Sequence, residues 1–376
     1  MRTIQGVRAG WLVGALGACI LIVGAARADV ATERPGSILI FPKVVRDGTR
    51  DTVIQITNTG NSTNSLRCFF LDAEAGRSGR PVCSEQDFNL TLTRQQPTHF
   101  RASTGRRINP SDAFGAPDAG LDPGLVPALN VGFVGALVCV EVGPDGFPMA
   151  QNKLKGEATI QSNVGADESK YNAITLQGKG SVGKDNILDL NGTEYDACPA
   201  TNIVNFLADG GPDPVIEAFG NGGICTGGSS PGAPCNSTSD CPGGGASCTT
   251  GRSSVVTNLT VLPCNLDFAN GIPGSLVLQF AVVDEFEVAT SGSTRGITCW
   301  DSFNLGQIPA MRSNTLPGGG LATEFATVRI RSTVGGPFVA VAESFHTDSI
   351  GATGAAAVNV HVEGTDPTAK IRITDQ

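Results

Sequence analysis

The sequence predicts an all-β protein of two β-sandwiches, the second carrying a disulfide-stapled loop. Three observations point there. Short runs of β-branched and other apolar residues recur between turn signals. No convincing amphipathic helical period interrupts them. Finally, Cys225, Cys235, Cys241 and Cys248 are spaced C-x9-C-x5-C-x6-C in a stretch made almost wholly of Gly, Pro, Ser, Thr and Asn. Such a stretch has no apolar side chains with which to build a core, so cross-links must hold it.

Taken in order, Ser37 to Val45 and Thr52 to Asn58 read as strands separated by the Asp47-Gly48 turn. Leu66 to Leu71 follows a turn-rich stretch, and Phe88 to Thr93 alternates apolar and polar as a half-buried strand should. Residues 103–130 carry four prolines and read as loop. Phe133 to Val142 is apolar enough to be covered on both faces. The chain turns polar from Gln151 to Ser169, which sets a soft boundary between an N-terminal sandwich at 29–165 and a C-terminal one at 166–376. In the second half, strand-like runs are Tyr171–Leu176, Ile187–Leu190, Ser254–Leu262, Ser275–Val288, Thr323–Ile330, Pro337–Phe345, Ala355–Val362 and Lys370–Ile373. The three beginning at Pro337 read as a closing meander. Thr201 to Ala208 is the one candidate short helix, ended by Asp209-Gly210-Gly211-Pro212. Residues 220–252 form the cysteine-rich insert. Strand spacing of this kind is that of immunoglobulin-like sandwiches.

The N-terminus reads as a secretory signal over 1–28: Arg2 and Arg8, an apolar run from Trp11 to Gly24, and Ala26-Arg27-Ala28 for cleavage. A rival reading takes Leu16-Gly17-Ala18-Cys19 as a lipobox with lipid anchoring at Cys19, but Ile20 to Val23 would make an odd start for a lipoprotein; soluble export is preferred. The expected place is therefore outside the cell or on its surface, with the periplasm open. After Gly24 no second long apolar run occurs, so no transmembrane segment is expected in the mature chain. The net charge of −9 becomes more negative once Arg2, Arg8 and Arg27 are removed, and no basic run exceeds Arg106-Arg107, which argues against nucleic acid.

Without Cys19, ten cysteines remain as disulfide candidates: Cys68, Cys83, Cys139, Cys198, Cys225, Cys235, Cys241, Cys248, Cys264 and Cys299. The four in the insert are expected to pair among themselves and Cys198 with Cys264 across its base. Local pairing of Cys68 with Cys83 is the simplest option for the rest, though spacing does not fix connectivity.

The motifs that could carry chemistry all fall short. Gly178-Lys-Gly-Ser-Val-Gly183-Lys184-Asp185 approaches a phosphate-binding loop, but Asp185 stands where Ser or Thr must ligate Mg²⁺, and strand rather than helix follows. Histidine is scarce, at His99, His346 and His361; the last two are expected on one hairpin, with His346 opposite Ala355 and His361 opposite Ala340, about 20 Å apart and so unable to share a metal, while a Ser-His-Asp site assembled in space is harder to exclude. No G-x-S-x-G or His-Glu-x-x-His occurs. Asp284-Glu285-Phe286-Glu287 could hold Ca²⁺ or a glycosidase pair, yet it lacks the six to eight oxygens that Ca²⁺ takes, and so does Asp189-Leu-Asn191-Gly192. Trp300 beside Cys299 reads as a core plug. No catalytic residue, metal site or cofactor is assigned.

The insert, with Gly-Gly after Cys225 and Cys241-Pro-Gly-Gly, resembles the small cysteine-rich inserts of uncharacterised exported bacterial β-sandwich proteins, and Ser37-Ile-Leu-Ile-Phe-Pro-Lys43 with Gln55-Ile-Thr-Asn-Thr59 resembles their opening strands. That likeness is structural and brings no catalytic residues. The leading expectation is an exported, non-enzymatic surface or binding protein, its partner an unknown extracellular protein or glycan. The alternatives are a secreted hydrolase acting on polysaccharide, using Glu285, Glu287 or Glu343, and a Ca²⁺-stabilised adhesin.

Overall fold

A computed structural model describes residues 31–374 except 74–82, 108–120, 166, 181, 210–212, 214–222, 230–233, 236–237, 251–253, 315 and 348–352. The expected signal segment 1–28 and Cys19 lie outside the described residues, as do parts of the insert. The chain is all-β: its described residues contain strands and three short 3-10 turns but no α-helix. No helix among them is long and apolar enough to cross a membrane.

Among the described residues, nine strands build the first half: β1 (Ile38–Arg46), β2 (Arg50–Asn58), β3 (Asn64–Asp72), β4 (Ser84–Leu92), β5 (Pro97–Arg101), β6 (Phe133–Val142), β7 (Leu154–Ser162), β8 (Glu168–Asn172) and β9 (Ile174–Leu176). β1 and β2 pair only at their hairpin, Arg46 opposite Asp51; beyond it β1 takes β9 and β2 takes β5. The sheet therefore parts into two leaves, β4-β3-β6-β1-β9 and β5-β2-β7-β8. Between them lie Leu39, Phe41, Ile54, Ile56, Leu137, Ala158 and a cluster in which Phe70 meets the rings of Phe88, Phe100 and Phe133. β8 and β9, beyond the boundary expected at 165, thus belong to this half. Phe88, Leu90 and Leu92 of β4 point inward as the alternation predicts.

The second half contains β10 (Ile187–Leu190), β11 (Cys198–Leu207), β12 (Gly223–Thr226), β13 (Pro234–Cys235), β14 (Ser247–Thr250), β15 (Ser254–Pro263), β16 (Leu266–Asp267), β17 (Ser275–Asp284), β18 (Ala289–Thr298), β19 (Asp301–Asn304), β20 (Phe325–Val334), β21 (Phe338–Thr347), β22 (Thr353–Asn359), β23 (His361–Asp366) and β24 (Ala369–Arg372). Two sheets, β18-β17-β20-β11-β23 and β19-β15-β21-β22, enclose a core of Phe206, Leu259, Phe280, Phe303, Val328 and Ala340. A third core joins the halves. The outward face of the first leaf, with Ile38, Ile40, Phe69 and Val138, packs on Leu188, Leu266, Trp300, Val339 and Ile371, much of it from the small sheet β10-β24-β16. The central strands of that leaf are consequently covered on both faces, as the composition of Phe133–Val142 implies.

Two expected elements differ. Residues 201–208 lie almost wholly in strand β11: Val204 and Phe206 turn inward while Asn205 faces solvent, and β20 and β23 flank it on either side. Tertiary pairing overrides a weak helical spacing. Likewise, Ala355–Val362 is not one strand of a meander. β22 ends at Asn359, and the chain crosses at Val360 to join the opposite sheet as β23. At the crossing the Asn359 amide accepts the Asn172 N–H and donates to the Asn172 carbonyl (3.1 and 2.8 Å), imitating a strand pair between β22 and β8.

All ten candidate cysteines are bridged: Cys68–Cys139, Cys83–Cys299, Cys198–Cys264, Cys225–Cys241 and Cys235–Cys248. The expected Cys68–Cys83 pair does not form, because Cys68 and Cys139 sit directly opposite each other on β3 and β6, their Cα atoms 4.0 Å apart. Cys83 instead ties the first half to the second. A peptide map of the non-reduced protein should return these five pairs; a Cys68–Cys83 peptide would contradict the arrangement.

Candidate functional site

β20 turns directly into β21 through Gly335 and Gly336, whose φ values of 94° and 93° suit glycine. The start of β20 and the end of β21 therefore lie at one end of the second sandwich. Register adds the rest of that end: Leu207 faces Phe325, Asp284 faces Ala326, and Ser254 faces Thr347. The insert between β11 and β15 and the β17–β18 turn accordingly share it.

The described part of the insert is a three-stranded sheet, β13-β12-β14, held by two disulfides. Its core is Cys225, Cys235 and Cys241, with Ala246 and Cys248 against them. Three of its sulfurs lie within 4.8 Å of one another, a metal-like grouping that arises because two disulfides stack; bridged sulfurs have no thiolate to offer a metal.

At the β17–β18 turn, Asp284 Oδ1 accepts the N–H groups of Phe286 and Val288, both at 2.9 Å, and Glu287 adopts φ 62°. This tight turn leaves Phe286 78% and Val288 58% exposed, with Phe325 at 41% on the same end. Glu285 and Glu287 are exposed beside them. One residue from the end of β21, His346 Nδ1 meets Asp213 Oδ2 at 2.5 Å. Asp213 is fully buried, so the pair pins the chain leaving β11 to β21. The neighbouring Ser344 hydroxyl lies 3.4 Å from that of Thr257.

The sequence candidates are not brought together. Glu343 is buried on the face of β21 turned to the first half, whereas Glu285 and Glu287 occupy a turn of the opposite sheet. His346 and His361 do not share a hairpin: His346 pairs with Gly354, while His361 pairs with Ile203 in the other sheet, and His99 is exposed on β5. The chain's crossing at Val360 separates them. Asn191 Oδ1 accepts the N–H groups of Thr193 and Glu194 and so caps a turn. Asp185 does the same for the Ile187 N–H. Trp300 is a buried plug, donating from Nε1 to the Pro42 carbonyl at 2.6 Å.

Sequence reasoning missed the polar cluster around Glu343. β1 slips register between Phe41 and Val44, and the bulge turns Lys43 toward β21, where its ammonium meets Glu343. Pro42 fits there because a bulge needs no N–H from it. The Lys43 N–H donates to the Tyr171 hydroxyl at 3.1 Å, and that hydroxyl donates to the Lys43 carbonyl. Ser169 Oγ donates to Glu343 Oε1 at 2.6 Å, and Ser302 lies 3.5 Å from Lys43 Nζ. Burial lowers the Lys43 amine below its ordinary range, the facing Glu343 opposing it, and burial raises the Tyr171 phenol. Glu343 stands out in the sequence only as a candidate acid, and the single lysine inside the apolar run Ser37–Val45 is the sequence's trace of its partner.

A second perturbed group is Glu85 on β4. Burial, then the charges of Asp87 and Asp267, push its carboxyl up to about 7 against the pull of Arg67. Arg67, itself buried, is held by Asp87 and the Thr374 carbonyl.

No protein-family model matches the chain, and no curated protein matches it.

Two outcomes are expected. Replacing Lys43 by Met strands a buried carboxylate and should cost about 3–5 kcal/mol in urea unfolding, much of it regained in Lys43→Met/Glu343→Leu. Glu85 binds its proton more tightly folded than unfolded, so its contribution is greatest in acid and is lost as pH rises through about 7. Glu85→Gln should therefore raise the melting temperature at pH 8 and leave it unchanged at pH 4.

Proposed function

We propose that this protein is an exported, non-enzymatic binding protein, built from two immunoglobulin-like β-sandwiches, that recognises an extracellular protein or glycan through the loop end of its second sandwich. The observation carrying this reading is the convergence at one end of a disulfide-stapled insert with Phe286, Val288 and Phe325, three large apolar side chains left open to solvent. Exposed aromatic and aliphatic anchors on tight turns are what an interface uses at its centre. Stapling lowers the entropy lost on binding, because the loop is ordered beforehand. Five disulfides fit an oxidising compartment, in keeping with the signal-like N-terminus.

The hydrolase reading draws less support. A glycosidase needs two carboxyl groups facing each other across the scissile bond, and Glu343 is engaged with Lys43 and Ser169 at the interface of the halves. Glu285 and Glu287 sit on an open turn.

The test uses labelled full-length protein on a glycan array and on intact cells. The triple variant Phe286→Ser/Val288→Ser/Phe325→Ser should bind at least about tenfold more weakly, as loss of interface anchors implies, with an unchanged melting temperature. Equal binding by the variant, or release of reducing sugar from a polysaccharide by the wild type, would overturn the reading.

A further inference from the structure

We propose that Lys43 and Glu343 condense into an amide, a covalent strut between the first strand and the second sandwich. Four other lysines among the described residues face carboxylates: Lys170, Lys179, Lys184 and Lys370. Their side chains are 36–83% exposed. Those amines stand in water. Lys43 and Glu343 are different, with side chains only 3% and 2% exposed and the Nζ in contact with Oε2.

Two opposite charges withdrawn from water are costly, and the same pair can exist as neutral amine and neutral acid by moving one proton. Burial already lowers the affinity of Lys43 for its proton. A desolvated lysine amine is a nucleophile, and the carboxyl carbon it needs lies behind the oxygen it touches.

The step balances without an oxidant or co-reactant. One proton passes from Nζ to Oε2, leaving a neutral amine and a carboxylic acid. The nitrogen lone pair then forms a bond to Cδ, and the displaced electron pair settles on Oε1, where the Ser169 hydroxyl already donates at 2.6 Å. A second proton moves from nitrogen to Oε2, the Cδ–Oε2 bond breaks, and one water leaves as the carbonyl reforms. The product keeps one N–H and one C=O in place of two buried charges. Glu343 and Ser169 both line a cavity of about 190 Å³ with Arg50, Ser162, Asp167 and Phe345, which gives the water a way out. Ser169 thus holds the place of an oxyanion donor.

Peptide mapping of the folded, full-length protein after reduction decides the matter. The segments containing Lys43 and Glu343 should travel as one branched peptide, lighter than their sum by one water, and Lys43→Met should abolish it. Separate, unmodified peptides from aged wild-type protein would overturn the proposal whether or not the variant folds. In refolded protein, Ser169→Ala should slow appearance of the branched peptide on the order of a hundredfold; formation at the wild-type pace would remove the serine from the chemistry.

Discussion

The contact between Lys43 and Glu343 is the constraint around which the two halves are arranged. A lysine in the middle of an inner strand can be tolerated only if something receives its charge and its displaced backbone. The bulge in β1 supplies the displacement, and residues from far along the chain answer each freed group: Tyr171 bonds the Lys43 backbone, Trp300 the Pro42 carbonyl, and Glu343 the ammonium. The first sheet can then press its outward face, Ile38, Ile40 and Val138, against the second half without leaving a polar group stranded. Cys83–Cys299 ties the halves again next to Trp300.

The fold class was legible because strand physics is local. Alternation in Phe88-Asn-Leu-Thr-Leu reports the one covered face of β4, and the mostly apolar Phe133–Val142, interrupted by Glu141, reports the two covered faces of β6. What was illegible depends on partners distant in sequence. Residues 201–208 have a spacing that suits a helix in isolation, and only β20 and β23 make them a strand. Nothing in Ala355–Val362 marks Val360 as the place where the chain changes sheets. Cys68 pairs across 71 residues rather than 15 because β6 lies beside β3. The loop end was half legible: the cysteine spacing announced the insert and its internal cross-links, and Cys198–Cys264 across its base is found as expected. The gathering of Phe286, Val288 and Phe325 beside it is a product of register alone.

The insert and its scaffold rest on opposite economies of structure. The scaffold derives its order from three apolar cores, whereas the insert's own core is sulfur with Ala246 against it. Both insert disulfides close within it, so its described strands are tied to one another rather than to the sandwiches. The insert is thus cross-linked independently of the register beneath it.

The pairing of Lys43 with a residue 300 positions later also has a consequence in time. Contacts so remote are made late, since the intervening chain must first be closed into a loop. The opening strand therefore cannot reach its final surroundings until β21 has been made. The outward apolar face of the first leaf likewise stays uncovered until the second half that packs on it has been made.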